Sequence, residues 1–167
     1  MFDTMASALK RLETESANTQ KIFQALTDEA LSQAVNSNHR TLGRMAWHIV
    51  NTIPEMMNNL QLGLSSVNEN DPVPEHAIEI QEAYKRVSTE LLGVLTDQWT
   101  DETLRQEDDL YGESWKRGET LLILVLHEVH HRGQMTVLMR QAGLRVPGVY
   151  GPSREDWASH GMPVPEV

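Results

Sequence analysis

Six consecutive apolar residues, Leu121 to Leu126, run without a break into His127-Glu128-Val129-His130-His131-Arg132-Gly133-Gln134. A helix with no polar face must be covered on every side, by the rest of the chain or by a second copy. The segment from Gly118 to Ala142 therefore reads as the central or interface helix, closed by Gly143 in a left-handed cap. Imidazoles rarely continue such a run, because burying one without partners is costly. His127 and His131, four apart, stack on one helical face with Leu124, Met135 and Leu138. There they can share one metal ion.

Three further segments carry helical periodicity, and none alternates as a strand. The first runs from about Thr4 to Ala25, with Met5, Leu9, Leu12, Ile22 and Phe23 inward. Thr27-Asp28-Glu29 reads as a cap and the start of a short turn through Leu31. The second begins near Thr41 and places Leu42, Met45, Ile49, Ile53, Met56 and Leu60 on one stripe, with Pro54 expected to kink it. The third runs from Glu75 to Asp97, with Ile78, Ala83, Val87, Leu91, Leu92 and Leu95 on its apolar side.

Gly63 to Pro74 is the clearest loop. Asp101 to Gly118 reads as a polar connection with room for a short hairpin around Tyr111 to Trp115. The tail from Val146 to Pro152 is too rich in Pro and Gly for a helix, and Ser153 is placed to cap a last short turn toward Trp157. Four amphipathic helices in 167 residues predict an all-α four-helix bundle, one domain spanning 1–167, with a short C-terminal helix or extended tail.

Composition excludes several classes of function. The net charge is −10, from 14 basic and 24 acidic residues, and the longest basic run is Lys116-Arg117. Nucleic acid is not expected as a partner. No apolar run reaches the ~20 residues of a membrane span, and Met1 to Met5 has no leader character. There are no cysteines, so no disulfide or thiolate ligand is available, which fits a cytoplasmic protein.

The third ligand to a metal at His127 and His131 should come from a facing helix. His48 is the best placed, at the edge of the second helix's apolar stripe. Glu55, seven residues on, shares its face and reads as a second acceptor or, more simply, a solvated acid. His39, His76 and His160 are expected to face solvent, and His130 to lie on the surface or in an interface. His127-Glu128-x-x-His131 also matches the HExxH pattern of zinc metalloproteases. Its surroundings do not: Gln134 and Val137 stand where the extended motif needs Gly and His, and Glu155 lies in the tail. Protease is the lesser alternative.

His127-x-x-x-His131-Arg132-Gly133-Gln134 with Leu138-Met139-Arg140-x-x-Gly143 resembles the last helix of the DinB/YfiT-like family. Thr41 to Ile49 resembles its second helix, and Pro147 to Ser153 the ending of one branch. The resemblance implies an up-down-down-up four-helix bundle, usually a homodimer. It also implies one divalent metal (zinc, nickel or iron) on His48, His127 and His131, with Glu128 a bystander. It leaves two functions open: a metal-dependent small-molecule enzyme, a thiol S-transferase or hydrolase in stress or detoxification, or a non-catalytic structural dimer. Arg132 is expected in a helix or dimer ion pair, and Gly133 to permit close helix packing.

Overall fold

Thr4 and Thr41 each begin a helix with their hydroxyls. Thr4 Oγ1 accepts from the amide of Ser7 at 3.3 Å and Thr41 Oγ1 from that of Arg44 at 3.1 Å. The computed structural model describes residues 1–164 and 166; positions 165 and 167 lie outside the described residues. Its four long helices are α1 (Met5–Gln24), α2 (Leu42–Asn58), α3 (Ala77–Gln98) and α4 (Arg117–Gln141).

Both α1 and α2 pack mainly against α3 and α4, so the four-helix bundle has α1 and α2 at opposite corners. Its core holds Leu12, Ile22 and Phe23 from α1, and Ile49 and Ile53 from α2. Val87 and Leu91 join from α3, and Leu121, Leu124 and Met135 from α4. No helix among the described residues is long and apolar enough to cross a membrane.

The helix ends are closed by side chains from elsewhere as well as by local ones. Asp101 Oδ1 accepts from the amide of Met5 at 2.7 Å. Thr27 makes no side-chain cap for the 3-10 turn Asp28–Ser32. Asp28 instead reaches α3, where Oδ1 accepts from the amide of Ala77 at 2.7 Å. Gly143, at φ 76°, ends α4 in a Schellman motif, its amide donating to Arg140 and that of Leu144 to Met139. Gly118 is needed for space, since a Cβ there would meet the carbonyl of Phe2 at 2.2 Å.

Pro54 lies inside α2, which runs on to Asn58. One expectation about α3 needs correction. Ile78 is 55% exposed, because the inward side of α3 starts with Ala77 and Ile80 and Ile78 is turned away from both. The connection before α4 does form a hairpin, β1 (Glu107–Leu110) paired antiparallel with β2 (Glu113–Lys116). Tyr111 and Gly112 turn it with φ of 54° and 84°, both left-handed, as a two-residue hairpin turn requires.

Helix α4 is not wrapped on all sides within one chain. Leu121, Leu124 and Val125 are buried, whereas Leu126 is 56% exposed and Leu122 and Val129 only partly covered. A Cβ on Gly133 would find nothing within 4 Å, so Gly133 permits no close packing inside the chain. In the tail the last turn is a 3-10 helix, Arg154–His160. Asp156 rather than Ser153 caps it, with its Oδ2 accepting from the amides of Ser153 and Gly148.

Candidate metal centre

Packing of α2 on α4 brings His48 opposite His127 and His131. The Nε2 atoms of His48 and His127 are 3.2 Å apart, and those of His131 and His127 3.1 Å. The imidazole rings stand edge to face, with centroids 4.4–4.9 Å apart. Among the described residues these three make the one cluster of His or acidic ligands able to hold an ion, with ligand atoms within 4.8 Å of one another.

The 3.1 and 3.2 Å separations on either side of His127 fit a metal ion. Bonds of about 2.0–2.1 Å place nitrogens about 3.3 Å apart around a tetrahedral ion and about 3.0 Å apart around an octahedral one. Protons alone leave the cluster poorly satisfied. His131 Nδ1 lies 2.7 Å from Gln134 Oε1, while Gln134 Nε2 faces His130 Nε2 at 3.0 Å. His131 thus carries its proton on Nδ1 and turns a lone pair inward. No placement of the remaining protons then gives each close Nε2 pair its own linear hydrogen bond. A cation could accept all three lone pairs.

Electrostatics favour the ligand form. Burial pushes the His48 and His127 pKa values down, to about 4 in each case; neighbouring imidazoles and the Arg40 guanidinium act in the same direction. His131 is lowered too, chiefly by burial. Neutral imidazole is the form that binds a metal.

Two cavities flank the cluster. One, of about 340 Å³, lies on the His48 side and is polar, lined by Arg44, Asn51, Glu55, Glu69 and Asn70. The loop that walls it is tied to α2. Trp47 Nε1 donates to the carbonyl of Asp71 at 3.0 Å, and Asn51 Nδ2 to that of Glu69 at 2.9 Å. The other, of about 410 Å³, lies on the His131 side and is walled by apolar side chains. Glu55 makes no hydrogen bond to the three imidazoles among the described residues. It accepts instead from the hydroxyl of Tyr111 at 2.7 Å, at the tip of the hairpin.

Glu128 faces away from the cluster. Its Oε1 accepts from Tyr84 at 2.6 Å and from the hydroxyl of Thr19, inside the bundle. Burial pushes its pKa up. A carboxylate committed to α1 and α3 cannot serve a metal-bound water on the opposite side of α4, so the HExxH match is one of sequence alone. Glu155 is likewise elsewhere, 3.6 Å from Arg140.

Arg132 forms an ion pair between helices, inside the bundle core. It is buried with Glu15 of α1 at 2.6 Å, both side chains 2% exposed. Its guanidinium also donates to Thr19 and to the hydroxyl of Tyr150. His130 and His160 are exposed as expected; His39 and His76 are exposed too, but bonded to Asn36 and Asp28. Gln134 was the residue missed, although its position three after His131 on a helix was a readable signal.

A four-helix bundle carrying a three-histidine cluster between α2 and α4 is thus the class of protein that fold and site define. The chain belongs to the DinB family, whose model matches residues 1–165. It is 44% identical, over the full length of both chains, to the uncharacterized protein YrdA of Bacillus subtilis strain 168. A crystal structure of a DinB-like protein from Bacillus cereus ATCC 10987 is 43% identical, with a TM-score of 0.85 over 90% of this chain and all of that one. A second DinB-like structure, YjoA of Bacillus subtilis, shares the fold at 19% identity, with a TM-score of 0.69 over 86% of this chain and 96% of that one.

Proposed function

We propose that this protein is a divalent-metal-dependent enzyme acting on small molecules, a thiol S-transferase or a hydrolase with a stress or detoxification role in the cytoplasm. The observation that carries the reading is the convergence of three Nε2 atoms between two cavities of opposite character. Three protein nitrogens leave positions for outside ligands, which distinguishes a working site from a closed structural one. Zinc, nickel or iron would supply Lewis acidity and lower the pKa of a thiol or water.

The chain's own residues do the rest. Gln134 holds His131 in the tautomer that presents Nε2. Burial keeps His48 and His127 neutral. With no cysteine in the chain, the sulfur must belong to a substrate. In a transfer it bonds to the electrophilic carbon and the leaving group departs with the bonding pair. The thiol proton passes to a carboxylate of the polar cavity, where Glu55 and Glu69 stand.

Cavities on both flanks favour two-substrate transfer. The test is a panel of small thiols with monochlorobimane, run on zinc-loaded protein and on His131→Ala. Acceleration by the loaded protein, absent in the variant, is expected. Equal rates with and without metal across the thiol panel would overturn the transferase role.

A second reading is a non-catalytic metal-binding dimer in which the ion ties α2 to α4. It is favoured by the origin of the ligands on two helices. Dimerisation is compatible with either reading. We place it on the outward stripe of α4, where Leu122, Leu126, Val129 and Gly133 recur three and four apart.

A further inference from the structure

The cavity beside His131 has a chemical polarity that the metal centre does not explain. Val35, Met45, Val137 and Leu138 form its apolar walls, His131 bounds it on the metal side, and Arg40 stands in its lining. Its volume of about 410 Å³ falls in the range of small-molecule sites.

Arg40 is exposed, in the stretch just before α2, and its charge is felt at all three imidazoles. Acidic residues outnumber basic ones 24 to 14 in this chain. Even so, among the described residues no carboxylate lies within ion-pair distance of Arg40. A protein of net charge −10 repels anions at long range, so a free guanidinium on an apolar cavity is a local reversal of sign. The other basic group there, His39, already has Nδ1 bonded to Asn36 at 2.7 Å. One fork-shaped cation beside hydrocarbon walls matches a monoanionic carboxylate on an apolar body. A phosphate would need more donors and would leave the walls unused.

We propose that this cavity receives the body of the substrate, that the ligand is a small apolar carboxylate, and that Arg40 anchors its anionic end. The inference rests on the metal-centre reading for its place in a reaction, while the binding itself is measurable without metal.

The experiment is calorimetric titration of octanoate, octan-1-ol and inorganic phosphate into wild type, Arg40→Gln and Val35→Asp, each metal-free and zinc-loaded. Octanoate should bind wild type in both forms. Each substitution should weaken it by about tenfold or more, with zinc stoichiometry unchanged, and octanol and phosphate should bind more weakly than octanoate by a similar factor. Both altered residues are exposed, so the fold is retained. Unchanged affinity in Arg40→Gln, or octanol or phosphate binding as well as octanoate, would overturn the proposal. So would octanoate binding that needs zinc and ignores Arg40, since the carboxylate would then be a metal ligand. Failure of the metal reading has its own signature: no zinc taken up, with octanoate still bound to the metal-free protein.

Discussion

Gln134 Oε1 accepts from Nδ1 of His131 at 2.7 Å, fixing which nitrogen of that ring faces His48 and His127. Removing such a partner frees the ring to rotate and to change tautomer. Outer partners of this kind contribute about 10–100-fold to metal affinity. Gln134→Ala should therefore weaken zinc by about tenfold or more in a chelator competition. Because Gln134 is exposed, the unfolding midpoint of the metal-free protein should not move.

Arg132 and Glu15 pair inside the bundle, with Tyr150 hydrogen-bonded to both. Removing one charge strands the other. Arg132→Met should cost about 3–5 kcal/mol in urea unfolding, whereas Glu15→Leu with Arg132→Met should recover much of that loss. Tyr150→Phe removes only hydroxyl contacts and should cost about 1 kcal/mol. A double substitution no more stable than Arg132→Met would contradict this account of the pair.

The pH dependence of the metal-free protein follows from the depressed imidazoles. In the unfolded chain His48 and His127 titrate near 6.5; in the fold, burial holds each at about 4. Between those values the unfolded state binds protons that the folded state refuses. Their contribution is fully present above about pH 6.5 and is lost as pH falls toward about 4. His76, raised by its hydrogen bond to Asp28, acts in the opposite sense at an exposed position, and His76→Gln removes it. Urea midpoints of that variant should fall across the window. Glu128, raised by burial, also opposes that fall, so the decisive comparison adds Glu128→Gln, where a flat profile would rule the shifts out.

Leu126 is 56% exposed at the centre of the outward stripe of α4. Leu126→Glu puts a charge on that face without touching the core, so it should convert a dimer to a folded monomer in light scattering. Wild type that is already monomeric would remove the dimer from the account.

Much of the bundle was legible because local signals carried it. The stripe from Leu42 to Met56 sets the inward face of α2, Gly143 ends α4, and Thr4 and Thr41 are ordinary caps. His48 could be matched to His127 and His131 because ligands in a bundle must come from facing helices. What the residues did not reveal depends on distant pairs. Glu15 and Arg132 are 117 positions apart, and Asp28 caps a helix 49 positions away. The hairpin was faint because its strands, EDDL and ESWK, are short and mostly exposed. For Arg132 an ion pair is readable from the residue type, but its partner Glu15 and its burial depend on how α1 packs on α4.

Metal content is the most direct test of the central claim. Elemental analysis of purified, zinc-loaded and desalted protein should give one divalent ion per chain for wild type. His48→Ala, His127→Ala and His131→Ala should each lose it while keeping a cooperative melt. Full occupancy in any of the three variants, or none in wild type, would contradict the three-histidine centre.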